Sequence, residues 1–473
     1  MTLIDRPADR PSRPDQRDGD GPVLSDGTRL IDLVDVERRE VSMRLFSDPE
    51  VYELELEHLF ARSWIMVAHE SEIPDVGDFV TRNVGEDPVI VARGREGDIH
   101  VSLNMCTHRG MQVCRTDDGT QPSFKCPYHG WVFGLDGNLV GTPFERDMYG
   151  GVLDRPSLGL RQARVATYAG MVFVNWDDDA PPLEEFLGGY SWYLDLIYDR
   201  TPGGIECVGS PQRWVMDANW KIPSEQFNGA DGYHVATLHR SLFEAMLPDA
   251  DVGEITAASR RGLFGMDISS DLGHGMRTIA PARRPVFRNV TGRDRFDEPE
   301  DLSTLEALRL NPPTNLPADM ADQVAAKLTD GQARGLLMYE PAAGGLFPNL
   351  GFASGNVHTH MPLGVGAFEM RSWIFVEKDA PAEFKETVRK SLLQSFGTSG
   401  TIEQDDAECW PAMQRNARGV IGRREKMRYQ AFVGDRGPDG WEGGEHTHEG
   451  FSKDDSAWAW WLAYREYMRG GRP

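Results

Sequence analysis

The chain predicts an α+β fold: a small antiparallel β domain joined to a larger domain in which an antiparallel sheet is flanked by helices. Three observations carry this. Between Trp64 and Trp176 the sequence breaks into short β-rich runs, such as Pro88-Val-Ile-Val-Ala92 and Met171-Val-Phe-Val-Asn175, separated by Gly and Asp turns. Beyond residue 180 a long strand pattern, Phe368-Glu-Met-Arg-Ser-Trp-Ile-Phe-Val376, stands beside strongly amphipathic helix patterns. The 473 residues, 40% of them hydrophobic, are enough to bury more than one core.

Composition narrows the function. Lys+Arg number 50 against 74 Asp+Glu, a net charge of -24. Such a surface argues against nucleic acid or an anionic membrane as partner and suits a basic redox partner. The five Cys, at 106, 114, 126, 207 and 409, form no disulfide framework, and their odd number fits a reducing cytoplasm. No apolar run approaches the roughly 18 residues of a membrane span, and the N-terminus lacks a signal-peptide core.

Taken in order, residues 1–40 read as a flexible N-terminal tail, because the first 28 are rich in Pro, Arg, Asp and Gly and cannot bury enough surface to order themselves. Residues 41–62 read as an N-terminal helix packing on the larger domain. Ser47-Asp-Pro49-Glu50 is a capping box with an early Pro, followed by Tyr52, Leu56, Leu59 and Phe60 at helical spacing. Residues 63–180 are the small β domain, left through the Pro-rich stretch Asp179-Ala-Pro181-Pro182. Within 181–473, residues 181–245 read as largely helical and 300–335 as a polar lid or loop interrupted by Pro312 and Pro313. Residues 381–396 form a helix with Phe384, Val388, Leu392 and Phe396 on one face. The last helix, about Asp454 to Met468, carries Trp458, Trp460, Trp461, Tyr464 and Tyr467, an aromatic band suited to core or subunit-interface packing.

Two constellations carry chemistry. The first is Cys106-Thr-His108, then Cys126-Pro-Tyr-His129-Gly-Trp131. Two thiolates and two imidazoles in alternation are what a Rieske [2Fe–2S] centre needs: one iron takes the two Cys, the other the two His, and each loop gives one ligand to each iron. A zinc site pairs like with like, Cys with Cys and His with His, and so does not fit this order. Gly110, Pro127 and Gly130 supply tight turns that bring backbone N–H groups near cluster sulfurs. The small β domain is thus a Rieske [2Fe–2S] domain.

The second constellation is Glu225-Gln226-Phe227-Asn228, then Asp231-Gly-Tyr233-His234 and His239. Two His and one carboxylate with open positions opposite make the facial triad of non-heme Fe(II) oxygenases. His234 and His239 are five apart, about 140° out of phase on a regular helix, so the helix should break or widen between them. The third ligand is sought in Glu403-Gln-Asp405-Asp406, where adjacent positions face different ways and only one Asp reaches the metal; chemistry alone does not choose between them. The larger domain is then the catalytic domain.

With these motifs the chain resembles the α (large) subunit of Rieske non-heme iron aromatic-ring-hydroxylating dioxygenases, of the naphthalene, biphenyl, polycyclic-aromatic or phthalate dioxygenase type, from about residue 40 to the C-terminus. The resemblance implies that Cys106 and Cys126 hold one cluster iron and His108 and His129 the other, and that His234, His239 and Asp406 hold the mononuclear iron. Asp231 matches the acid that hydrogen-bonds an iron-ligand His and, across a subunit boundary, a cluster-ligand His; here these are His234 and His129 of the partner subunit. Phe396 matches a pocket phenylalanine that steers regiochemistry. The chain departs from the family at one point: three residues, not two, separate Phe227 from Asp231. Gln226 and Asn228 therefore compete for the role of pocket amide, and the extra residue should bulge the helix.

The resemblance further implies a terminal oxygenase that uses dioxygen and two electrons from a ferredoxin, fed by an NADH-dependent reductase, to convert an aromatic ring to a cis-dihydrodiol. It also implies a small β subunit completing an α3β3 hexamer. Phe227, Leu242, Phe243 and Phe396 are candidate pocket liners for a polycyclic or biaryl hydrocarbon, whereas Arg240 or Arg260 in the pocket would suit a phthalate-type acid. The alternatives are a monooxygenase or demethylase of the same superfamily, and a Rieske electron-transfer protein. About 290 residues beyond the cluster domain, with a second ligand set, argue against a pure carrier.

Overall fold

The computed structural model describes residues 21–241, 265–279, 303–310, 312–313, 315–353, 355–434, 437, 441–450 and 452–473. Residues 1–20 of the expected tail lie outside them. Residues 21–40, read with that tail, are a correction: Leu24, Leu30, Ile31, Leu33 and Val34 are buried, and the strand Val34–Asp35 pairs with Glu40–Ser42, which pairs in turn with Lys426–Arg428. A few well-spaced apolar residues anchor a polar segment once a core is there to receive them, which composition does not show. The following helix, Pro49–Glu55, is capped by Asp48, not Ser47: its carboxylate accepts from the Glu50 N–H at 2.9 Å, and Pro49 takes the first-turn place.

The cluster-bearing region is built from three small antiparallel sheets. Asp78–Val84, Asp87–Arg93 and Ile99–Leu103 form consecutive hairpins with Asp118–Thr120 at one edge. Phe124–Lys125, Val132–Phe133 and Leu139–Gly141 make the second sheet. Met171–Asn175 joins Arg164–Tyr168 to Ile65–His69 in the third, every residue of the central strand being buried. Phe79, Ile90, Phe124, Trp131, Phe133 and Leu139 form the core beneath the two cluster loops.

The larger region is organised on a nine-stranded antiparallel sheet. Its long strand Phe368–Glu377 pairs with Asn356–Pro362 on one side and with Gln212–Met216 and Ile205–Cys207 on the other. Those last two strands fall in a stretch read as helical; the alternating exposure of Gln212–Met216 belongs to an edge laid against a long partner, and tertiary pairing overrides local propensity. The polar stretch read as a lid is another correction. The helices Thr304–Leu310, Ala321–Lys327 and Asp330–Met338, with the residues that flank them, bury Leu308, Met320, Val324, Leu328 and Leu336 in a satellite core. Thr329 and Gln332 close a capping box on the third helix, a start signal masked by the polar composition around it.

The helix Ala382–Phe396 forms as its pattern predicts, with Val388 and Leu392 buried. In the C-terminal helix, Asp455–Met468, the aromatic band is core: Trp458, Trp460, Trp461, Tyr464 and Tyr467 are all buried. At its centre lies a fully buried ion pair. Lys221 Nζ is 2.7 Å from Glu55 Oε1, and both side chains are 0% exposed. Trp220 Nε1 donates to Glu55 Oε2 at 2.9 Å and Tyr464 OH to Oε1 at 2.6 Å. One carboxylate thus ties the N-terminal helix, the helix Lys221–Asn228 and the C-terminal helix together. Among the described residues no helix is long and apolar enough to cross a membrane.

Candidate active site

The two cluster loops repeat one local design. Cys106 N–H bonds Met111 O at 2.8 Å and Gly110 N–H bonds Cys106 O at 2.8 Å; Cys126 N–H bonds Trp131 O at 2.7 Å and Gly130 N–H bonds Cys126 O at 3.0 Å. Each loop closes through a glycine with positive φ, +72° at Gly110 and +73° at Gly130, a conformation that other residues adopt at a cost. The two thiols are buried while His108 and His129 are half exposed, their ring centroids 4.5 Å apart. Trp131 stacks on His108 at 4.9 Å. Burial pushes the Cys106 thiol up, and Cys126 beside it adds to the rise. Two buried sulfurs side by side, with a buried His108 Nδ1 that has no hydrogen-bond partner, fit a cationic cluster.

The second set is assembled from three chain segments. The helix Lys221–Asn228 ends at Gly229, whose backbone is extended, and Ala230–Asp231 forms a two-residue strand paired with Ser452–Lys453 before the helix Gly232–Thr237 begins. Where a bulged helix was expected between Phe227 and Asp231, the chain steps out into a strand; an extended Gly229 ends the first helix and the ladder bonds satisfy the freed backbone. The Asp231 side chain lies outside the described residues, as do Leu242, Phe243 and Arg260. Past His234 the helix widens: His239 N–H reaches His234 O at 3.4 Å, five residues back. That wide turn brings both imidazoles to one side, with centroids 5.2 Å apart.

Asp406, on the helix Thr401–Arg418, completes the group. Ligand atoms of His234, His239 and Asp406 all lie within 4.8 Å of one another. The adjacent Asp405 turns to the other side of the same imidazole: His239 Nδ1 is 3.0 Å from Asp405 Oδ2, while Nε2 stands 3.7 Å from Asp406 Oδ2 with no hydrogen-bond partner. A carboxylate can only accept, so Nδ1 carries the proton and Nε2 presents its lone pair. Burial holds the His239 imidazole below its ordinary value, against the raising effect of Asp406 and Asp405. The donor set, two neutral nitrogens and one carboxylate on one side, fits a mononuclear iron.

Gln226 and Asn228 separate clearly. Gln226 Nε2 donates to Asp406 Oδ1 at 3.0 Å, and its Oε1 accepts from Trp410 Nε1 at 2.8 Å, so its amide orientation is fixed. Asn228 is buried away from this cluster and donates to Ser456 O at 3.1 Å. The Phe227 ring stands edge-on to His358 at 4.5 Å, and Phe396 lies 6.3 Å from the same His358. Sequence reasoning weighed Asp405 only as an alternative ligand and missed its place at His239 Nδ1; it missed Trp410 and His358 altogether. Two adjacent acids can serve one histidine because its two nitrogens point opposite ways, and the Asp-Asp pair held that signal.

Comparison with known proteins places this geometry. Residues 63–168 match the Rieske [2Fe-2S] domain, and residues 183–452 match the ring hydroxylating alpha subunit (catalytic domain). The chain is 36% identical over 414 residues to biphenyl 2,3-dioxygenase subunit alpha of Rhodococcus jostii strain RHA1, covering 86% of this chain and 84% of that one. It is 35% identical over 399 residues to benzene 1,2-dioxygenase subunit alpha of Pseudomonas putida, covering 83% and 82%. Its fold superposes on naphthalene 1,2-dioxygenase from Rhodococcus sp. bound to indole with a TM-score of 0.80 at 34% identity, covering 94% and 97% of the two chains. A Rieske domain and a ring-hydroxylating catalytic domain in one chain, similar along most of its length to dioxygenase α subunits, have one meaning: the chain belongs to the aromatic-ring-hydroxylating dioxygenase α subunits, enzymes of a Rieske [2Fe–2S] cluster and a mononuclear iron.

Proposed function

We propose that this chain is the catalytic subunit of a terminal oxygenase that adds both atoms of dioxygen to one face of an aromatic ring, giving a cis-dihydrodiol. The substrate class is a polycyclic or biaryl hydrocarbon or a phthalate-type acid. One observation carries the reading: His234, His239 and Asp406 converge in a chain that also bears the cluster loops, and an electron carrier has no use for the second set.

In this reading residues 63–180 form the cluster domain and residues 181–473 the catalytic domain. Cys106 and Cys126 would hold one cluster iron and His108 and His129 the other; His234, His239 and Asp406 would hold the mononuclear iron. When bound, the cluster supplies single electrons and the iron supplies dioxygen activation. The chain's own part is positioning. Asp405 holds the His239 proton at Nδ1. The Gln226 amide engages Asp406 Oδ1, leaving Oδ2 toward His239. Phe227 and Phe396 form the apolar wall for the ring. Asp231, three residues before His234, is the bridging acid toward His129 of the partner subunit. Members of this family are terminal oxygenases working with a ferredoxin and its reductase; here we infer an NADH-fed reductase and a small β subunit in an α3β3 hexamer.

The test is turnover of naphthalene, biphenyl, phenanthrene and phthalate under labelled dioxygen, with products read by mass spectrometry. Two labelled oxygens in one product support the dioxygenase. A single label moves the assignment to a monooxygenase, and product from phthalate alone requires a cationic anchor in the pocket.

A further inference from the structure

The strand Asn356–Pro362 is buried along its whole length, and side chains two apart on it share a face. On one face stand Asn356, His358 and His360, three polar side chains no more than 1% exposed. Each carries polar atoms without a hydrogen-bond partner: Asn356 Oδ1, both ring nitrogens of His358, and His360 Nε2. Buried polar atoms are nearly always paired, because leaving one unpaired is destabilising. Three in a row are a feature that packing does not explain.

The stripe abuts the catalytic machinery. Phe227, edge-on to His358 and stacked near His360 at 5.7 Å, directly follows Gln226, whose amide touches Asp406. Gly351, the cross-strand neighbour of His358, makes room for that ring: a Cβ there would lie 2.8 Å from Phe227. Phe396 stands 6.3 Å from His358 and also lines a cavity of about 80 Å³ shared with Asn356 and Ser372.

Hydrogen-bond accounting gives the chemistry the stripe offers. Asn356 Nδ2 donates to Ser372 Oγ at 2.8 Å and to Trp373 O at 3.2 Å, so both its hydrogens are used and Oδ1 is left as an acceptor. Ser224 Oγ donates to Trp220 O at 2.7 Å, so His360 Nδ1, 3.0 Å away, donates to Ser224 and Nε2 is left as an acceptor. His358 offers one donor and one acceptor in either tautomer. Burial pushes His358 down to about 3 and His360 well below its ordinary value, so both are neutral at any physiological pH. A neutral stripe gives a carboxylate no charge to pair with.

We propose that His358, with Asn356 and His360 beside it, is a specificity-determining site that takes the polar end of an uncharged aromatic substrate bearing a hydroxyl or N–H group. This rests on the ring-hydroxylase reading and narrows its substrate class. The ring lies against Phe227 and Phe396, and the ring's hydroxyl or N–H donates into the acceptor-rich stripe. A site built to bond such a group discriminates against the analogue that lacks it, whereas an apolar pocket does not reject the added group strongly.

Equilibrium dialysis of the holoenzyme against naphthalene, 2-naphthol and 2-naphthoate tests this on one ring frame. The wild type should bind 2-naphthol roughly tenfold or more tighter than naphthalene and bind 2-naphthoate weakest. His358→Leu should erase the preference for 2-naphthol while keeping naphthalene binding, and His358→Gln, which restores a donor and an acceptor, should recover part of it. Equal wild-type affinity for naphthalene and 2-naphthol overturns the proposal and leaves the ring-hydroxylase reading standing, with ordered water then completing the stripe. Preference undiminished in a folded His358→Leu also overturns it. Binding of none of the three also overturns the proposal, while the ring-hydroxylase reading is decided separately by turnover under labelled dioxygen.

Discussion

The two metal-ligand regions of this chain solve the same problem in opposite ways. The proposed cluster ligands lie within 24 positions of sequence on two turns, each held by its own backbone bonds and its own glycine. The proposed mononuclear ligands come from two segments: a wide turn brings His234 and His239 together, but Asp406 lies 167 positions beyond His239 and no local feature brings it to them. Their geometry is imposed by contacts: Asp405 on His239, Gln226 on Asp406, Trp410 on Gln226, and the buried Glu55–Lys221 pair at the start of the helix that carries Gln226. A site of local turns is robust to distant change, whereas a site assembled across the fold shares the stability of everything that assembles it.

The largest expected effect separates the two sets outright. Asp406→Asn should remove mononuclear iron and cut turnover by more than about 100-fold, with the cluster's visible and EPR signals unchanged. Cys126→Ser should do the reverse to the metals, abolishing the cluster signals while iron remains at the other site. Iron analysis beside EPR on both variants decides it; loss of both metals in either variant would mean that the sites are not independent.

Lys221→Met probes the dependence of the assembled site on distant packing. It leaves the buried Glu55 carboxyl without its cation, with only Trp220 and Tyr464 as donors. Removing one partner of a buried pair costs about 3–5 kcal/mol, while replacing both by apolar groups is often neutral. Thermal melting should fall sharply in Lys221→Met and recover in Glu55→Leu/Lys221→Met. Mononuclear iron occupancy should fall with the single change before the cluster absorbance does. A single variant that melts with the wild type would remove this pair from the argument.

That contrast also governs what the sequence disclosed. Cys106, His108, Cys126 and His129 stand out as candidate ligands because spacing on a turn is geometry. The helix Ala382–Phe396 is equally plain, since its apolar face repeats every fourth residue. Asp405 and Asp406 are ambiguous until the fold brings His239 between them, for sequence separation says nothing about which side of an imidazole a carboxylate meets. The strands Ile205–Cys207 and Gln212–Met216 are misread because their partner strand is far along the chain, and the helices between 304 and 338 because their polar surfaces outweigh the few apolar anchors that fix them.

Asp405→Ala sharpens the comparison at smaller scale. It deletes the acceptor that holds His239 Nδ1–H and leaves every proposed ligand in place. Iron affinity, measured by competition with a chelator, should weaken by roughly 10–100-fold, and Asp405→Asn, whose Oδ1 still accepts, should recover much of it. Equal loss in both would point to charge, not orientation, as the contribution.

The smallest effect lies inside the cluster loops and compares two near-identical glycines. Gly110 has open space where a Cβ would stand, whereas at Gly130 a Cβ would meet Pro143 Cγ at 2.9 Å. Gly110→Ala should therefore cost only the left-handed backbone, about 1–2 kcal/mol, because L-residues place Cβ against the carbonyl there. Gly130→Ala adds displacement of a proline ring on the loop that carries Cys126 and His129, so its cluster should bleach at a lower temperature than that of Gly110→Ala. In both variants the mononuclear iron should stay bound. If Gly110→Ala were the more damaging, strain within the turn would outweigh the packing above it, and the loops would be less self-sufficient than their matching hydrogen bonds indicate.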